Sequence, residues 1–188
     1  MAFTVFITGA SSGIGAALAQ EYAQKGAVIG MVGRRAEALE QARATMNHPE
    51  NHSIYAADVN NEAELHQAAH DFIALHGAPD VVIAAAGISV GTWTEHYEDL
   101  VHIKRVFETN VFAMASTFHP FIAPMKAAGK GSLVGIASVA GIRGLPGSEA
   151  YCASKSAVIT YLESLRGELR DSKISVLTVL PGYVATPL

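Results

Sequence analysis

Apolar residues recur along this chain as short compact runs separated by longer amphipathic stretches. The short runs fall near 3–8, 27–32, 53–57, 80–85, 131–137 and 174–180, and have the length and composition of buried strands. Between them, 13–25, 36–46, 61–76, 98–127 and 150–171 carry apolar positions at helical spacing. Strands alternating with helices predict right-handed βαβ units and an α/β fold. The expected architecture is a doubly wound parallel sheet, strand order 3-2-1-4-5-6, with helices on both faces. No repeat, low-complexity tract or linker breaks the pattern, so 1–188 reads as a single domain.

Composition narrows the picture. Half of the 188 residues are hydrophobic and 16% are charged, which suits a parallel sheet covered on both faces. A net charge of -4 gives no support for a nucleic-acid or acidic-membrane partner. No apolar run approaches the roughly 20 residues that span a bilayer. The N-terminal MAFTVFITG lacks a basic region and reads as a strand rather than a signal peptide. One cysteine, Cys152, cannot form an internal disulfide. The cytoplasm is the expected compartment.

Candidate chemistry begins at the first strand. MAFTVFITGASSGIGAALAQ passes from an apolar run through a glycine-rich turn into an amphipathic helix. Gly9 permits a sharp turn, and Gly13 and Gly15 let backbone approach a bound group. The helix N-terminus that follows is a site for a pyrophosphate. A second constellation lies near the other end. Tyr151 and Lys155 are four residues apart in YCASKSAVITYL, so helical geometry puts them on one face. An ammonium beside a phenol favours the phenolate and prepares the pair for proton transfer. Ser138 ends the apolar run GSLVGIAS and offers a hydroxyl to the same reacting oxygen. Together they read as a proton-transfer site for a carbonyl and its alcohol.

With both constellations in view, the chain resembles the short-chain dehydrogenase/reductase family, whose domain is a Rossmann-type, NAD(P)-binding fold. The likeness rests on TGASSGIG at 8–15, Asp58-Val59, AAAG at 84–87, Asn110 in ETNVF, Ser138, YCASK at 151–155 and PGYVATP at 181–187. It implies a catalytic tetrad of Asn110, Ser138, Tyr151 and Lys155, with Asn110 holding a water on the proton path from Lys155. It also implies cofactor contacts along Gly9, Ser11, Ser12, Gly13, Ile14 and Gly15. Asp58 would meet the adenine amino group, with Val59 offering its backbone; capping a helix near Asn61 is the alternative use of Asp58. Ala85, Ala86 and Gly87 would pass beside the ribose. Pro181, Gly182, Val184 and Thr186 would border the nicotinamide, and Tyr151 and Lys155 would touch it too. AAAG stands where the family usually has NNAG, removing two side-chain amides. The family also usually continues past the PG motif, so its last strand and substrate lid are absent here and a longer natural chain is expected.

The cofactor follows from residues after the second strand. An NAD site places a carboxylate there for the ribose 2′-hydroxyl. This chain has Gly33-Arg34-Arg35. A guanidinium pairs with a 2′-phosphate, which points to NADP(H), with Arg34 the main contact, Arg35 a second and Ser12 adding a hydrogen bond.

The glycine-rich loop at 139–150 is expected to wall the substrate. Trp93, His96 and Tyr97 either line its entrance or serve packing. His66, His70 and His76 read as a solvated helix face, with no metal site, and Cys152 as a packing residue. The favoured function is an NADP(H)-dependent oxidoreductase acting on a small carbonyl or alcohol. The competing function is a non-catalytic dinucleotide-binding module, from which turnover of a carbonyl panel would separate it. The resemblance further implies a homodimer or homotetramer formed by helices 98–127 and 150–171.

Overall fold

The computed structural model describes residues 2–186. Pro187, which closes the last motif, lies outside the described residues. Six strands, β1 (Thr4–Thr8), β2 (Val28–Gly33), β3 (Ser53–Ala56), β4 (Val81–Ala84), β5 (Gly131–Ile136) and β6 (Ile174–Val179), form one sheet of order β3-β2-β1-β4-β5-β6. Every pairing is parallel. The helices are α1 (Gly13–Gln24), α2 (Ala36–Ala44), α3 (Glu62–His76), α4 (Leu100–Phe107), α5 (Ala113–Ala128) and α6 (Glu149–Glu168).

Strand alternation splits the core into two layers. Phe6 points to one face, where Phe72, Phe118, Phe121, Leu133 and Leu162 are buried beneath α3, α5 and α6. Its neighbours Val5 and Ile7 point to the other, beside Ile29, Met31 and Leu39, under α1 and α2. The Phe6 ring lies 5.4 Å from Phe72 and 4.8 Å from Phe121, centre to centre. Burying each such ring contributes roughly 2–3 kcal/mol. Gly30 pairs with Phe6 in register. A Cβ there would stand 2.5 Å from the Phe72 ring, so the strand leaves this position empty for the aromatic cluster.

One expected element is divided. In place of a continuous helix over 98–127, a short 3-10 turn at Tyr97–Asp99 leads into α4, and a π-helical turn at Glu108–Phe112 separates α4 from α5. The π turn widens the backbone at Asn110, whose side chain is bonded across to the loop after β4. Helical spacing of apolar residues does not reveal such an insertion, because the hydrophobic face continues through it. Because all six strands run the same way, their carboxyl ends and following loops share one edge of the sheet, and this edge holds the site.

Candidate active site

The turn between β1 and α1 is built by close approach. Gly9 has φ +71, and a Cβ on it would lie 2.8 Å from the Ala86 backbone. A Cβ on Gly15 would lie 2.3 Å from the Gly9 carbonyl oxygen. Only hydrogen fits at either position. Ser12 is the N-cap of α1 but makes no side-chain capping bond, so its hydroxyl stays free beside the open N–H groups of the first turn. These groups face a cavity of about 720 Å³ that runs along the carboxyl edge of the sheet, within the size range of cofactor sites.

Ser138, Tyr151 and Lys155 line the same cavity. Ser138 follows β5, and its Oγ accepts the Ala140 N–H at 3.1 Å. That bond occupies a lone pair and leaves the O–H free to donate. Tyr151 and Lys155 stand one turn apart on α6, with Lys155 Nζ 5.7 Å from the centre of the Tyr151 ring. Lys155 is 4% exposed and donates to the Ile136 carbonyl at 2.8 Å. Burial pulls its ammonium down from 10.5 to about 8.

The cavity wall also receives Ser11, Ile14, Arg34, Asp58, Val59, Ala85, Ala86 and Gly87, and, from the far side, Pro181, Gly182, Val184 and Thr186. Val139 N–H donates to the Pro181 carbonyl at 3.1 Å, extending the β5–β6 register past the sheet and fixing the 181–186 segment beside Ser138. Thr186 packs against Gly13. Asp58 does not cap α3: Asn61 does, accepting the Glu64 N–H at its side chain. Asp58 instead accepts the Asn60 N–H and stays in the wall.

Two expected residues do not reach the cavity. Arg35 takes the N-cap position of α2 and projects outside it, because successive residues at a strand end diverge. Asn110 is fully buried. Its Oδ1 accepts Ile88 N–H at 2.8 Å, and its Nδ2 donates to the Ile88 carbonyl and to Ser154 Oγ, each at 3.0 Å. Both amide donors are spent on structure, so its side chain is a brace between the loop after β4 and α6. It also supplies part of the bracing that the AAAG segment lacks, and Thr8 Oγ1 takes the Ala86 N–H at 3.5 Å.

Sequence reasoning passed over Ser154, fully buried between Asn110 and the Tyr151 carbonyl; its place one residue before Lys155 was the available signal. It also passed over Arg143, Leu145 and Tyr183, which join the wall from the loops after β5 and β6. The histidines depart from a purely solvated face. His66 stacks on His119 with centres 5.5 Å apart, and its Nε2 lies 3.2 Å from Ser116 Oγ. His76 packs on Phe72, and only His70 of the three is exposed. Cys152 is buried. Trp93 is 54% exposed and its ring lies against Gly147 in the 139–150 loop. Among the described residues no helix is long and apolar enough to cross a membrane.

Comparison with known proteins agrees with this geometry. The family model described as short chain dehydrogenase matches residues 3–188. An uncharacterized oxidoreductase of Myxococcus xanthus is 34% identical over 189 residues, covering 98% of this chain and 73% of the relative. The 11-beta-hydroxysteroid dehydrogenase-like 4A of Arabidopsis thaliana is 32% identical over 182 residues, covering 96% of this chain and 60% of the relative. Among solved structures, a short-chain dehydrogenase from Streptomyces avermitilis superposes with a TM-score of 0.91 at 32% identity, covering all of this chain and 68% of the other. ElxO with NADP bound gives 0.91 at 26% identity, over all of this chain and 76% of the other. NAD+-bound xylitol dehydrogenase gives 0.91 at 28% identity, over 96% and 70%.

Proposed function

This chain belongs to the short chain dehydrogenase family, and on that footing we propose that it is an NADP(H)-dependent oxidoreductase interconverting a carbonyl compound and its primary or secondary alcohol. One observation carries the reading: Ser138, Tyr151 and Lys155 line a single cavity of cofactor size, with the Lys155 ammonium 5.7 Å from the centre of the Tyr151 ring.

The residues present fit a dinucleotide. The uncapped N-terminus of α1 suits a pyrophosphate. Arg34 stands in the wall after β2, where no carboxylate accompanies it. Relatives of known structure hold NADP or NAD+, so the choice of NADP(H) rests on Arg34 and on the missing acid. Asp58 and Val59 would receive the adenine, Gly87 the ribose, and Val184 and Thr186 the nicotinamide end.

When bound, the reduced cofactor would supply the hydride for the carbonyl carbon. Tyr151 gives its phenolic proton to the carbonyl oxygen, so the substrate gains one hydride and one proton and leaves as the alcohol. Ser138 donates its free O–H to the same oxygen as charge develops there, a fixed dipole commonly worth a few kcal/mol. The Lys155 cation stabilises the phenolate left behind. Two of its three ammonium protons are not used on Ile136 and are available to ribose hydroxyls. Asn110 acts at one remove, as a positioning residue.

On this reading residues 1–188 form one dinucleotide-binding domain, and the protein works in the cytoplasm as a homodimer or homotetramer. Tyr97, Leu100, Val101 and Phe112 support the assembly, since all four expose apolar surface along α4 and its two ends.

The test is Tyr151→Phe, assayed with NADPH on a panel of ketones and aldehydes. Turnover should fall at least about 100-fold while NADPH binding persists. A variant as active as the parent would end the proton-donor assignment. A parent that binds NADPH and reduces nothing in the panel would favour the non-catalytic module.

A further inference from the structure

Four cationic side chains, Arg34, Arg105, Arg143 and Lys155, line the cavity with a single carboxylate, Asp58, in a chain of net charge -4. None of the three arginines forms an ion pair among the described residues. Arg34 and Asp58 follow β2 and β3, on the half of the sheet assigned above to the adenosine end of the cofactor. Arg143 follows β5, on the half that holds Ser138 and Tyr151.

The loop carrying Arg143 is pinned at both ends. A Cβ on Gly141 would stand 2.8 Å from the Lys155 carbonyl, so the loop begins flush against α6. At its other end the Gly147 carbonyl accepts the Thr92 N–H at 3.3 Å, and the Trp93 ring packs on Gly147. Between these anchors Arg143 and Leu145 enter the cavity wall beside Val139, Tyr183 and Val184. This stretch of the wall is mostly apolar and open to solvent, and Arg143, itself exposed, is the one cation on it. A guanidinium is a planar fork matched to a carboxylate, and of the four cations Arg143 is the one, beside Ser138 in the chain, that the cofactor reading leaves unassigned on this half of the sheet.

We infer that the substrate is an anionic carbonyl compound, an oxo acid whose carboxylate binds Arg143 while its carbonyl oxygen is held by Ser138 and Tyr151. This inference rests on the oxidoreductase reading above and names its substrate class. Arg143 is the specificity-determining residue, and the apolar wall receives the carbon skeleton between the two oxygenated ends.

The experiment compares oxo acids, with the carboxylate at increasing distance from the ketone, against their methyl esters, using NADPH and the purified chain. The best acid should exceed its ester in kcat/KM by about 10- to 100-fold, as expected for one charge-assisted contact, and added salt should erode that ratio. Arg143→Gln should bring the ratio close to one with NADPH affinity unchanged, and Arg143→Lys should recover part of it. Esters reduced as well as acids, or a preference that survives Arg143→Gln, would overturn the inference and leave the oxidoreductase reading intact. An enzyme that binds NADPH and reduces neither series would overturn both.

Discussion

Asn110 Nδ2 and Ser154 Oγ lie 3.0 Å apart although 44 positions separate them in the chain. Ser154 passes the connection on to the Tyr151 carbonyl at 2.7 Å, and Asn110 holds both backbone groups of Ile88. The loop after β4, the π turn and helix α6 are thereby joined through two buried side chains. Truncating Asn110 leaves the Ile88 N–H and carbonyl without partners, each costing about 1–3 kcal/mol when withheld from water. Asn110→Ala should lower the unfolding free energy by roughly 2–4 kcal/mol and Ser154→Ala by about 1 kcal/mol, read by urea unfolding. Equal stabilities for both variants and the parent would contradict the bracing role.

The glycine turn gives a steric prediction. Gly15→Ala puts a methyl group 2.3 Å from the Gly9 carbonyl oxygen, and backbone must move to make room. Stability should drop by about 1–3 kcal/mol, and NADPH affinity by at least about tenfold, since the N–H groups of the first turn lose their alignment. Isothermal titration of the folded variant reads the second effect. Unchanged affinity would mean the turn does not hold the phosphates.

On the proposed NADP(H) reading, cofactor choice hangs on Arg34, in the cavity wall, and not on Arg35, outside it. Arg34→Ala should cut kcat/KM for NADPH by about 10- to 100-fold, the worth of a lost charged hydrogen bond, with little change for NADH. Arg35→Ala should do far less. A parent enzyme that prefers NADH would refute the assignment at once.

Burial of the Lys155 ammonium costs stability. Its folded value, about 8, lies below its ordinary 10.5, and the cause is burial. Between those two values the unfolded chain binds more protons than the folded one, so stability of the cofactor-free protein rises with pH across that window. Above 10.5 the penalty is gone; below 8 it is complete. Lys155→Met should therefore raise stability at neutral pH, by an amount on the order of 1–3 kcal/mol, and flatten the rise from 8 to 10.5. Turnover should collapse in the same variant. Thermal unfolding of parent and variant against pH is the measurement.

His52 predicts the acid side. It is 4% exposed, its Nδ1 accepts Ile29 N–H at 3.2 Å, and its Nε2–H donates to the Asn47 carbonyl at 2.9 Å. The bond from Ile29 requires an unprotonated Nδ1 and so the neutral ring, and desolvation lowers its pKa below the ordinary 6.5 although the bond to Asn47 favours the charged ring. Its contribution is present above 6.5 and is lost as pH falls through the lower folded value. His52→Gln keeps an acceptor for Ile29 and does not titrate, so it should lose less Tm than the parent between pH 7 and 5. NADPH binding at neutral pH should be untouched, because His52 precedes β3, at the opposite edge of the sheet from the cavity. An equal acid loss in both proteins would remove His52 as the cause.

The placement of the candidate residues was legible because it is local. Tyr151 and Lys155 share a helix, so a spacing of four fixes their common face whatever surrounds them. Ser12, Gly13 and Gly15 occupy one strand-to-helix turn, and their need for small side chains shows in the residues themselves. Asn110 was legible as a motif and not as a contact. Its partners Ile88 and Ser154 come from other elements, and the π turn that holds it leaves the apolar face of 98–127 uninterrupted.

The sequence alone determined the order of strands and helices and which side chains are candidates for proton transfer, since these depend on periodicity and on neighbours within a turn. Folding decided which of two adjacent arginines enters the cavity, which histidines are packed, and that Arg143 stands in the wall with Ser138. Those outcomes depend on where parallel strands bring their ends together, a relation among residues far apart in the chain that no local spacing encodes.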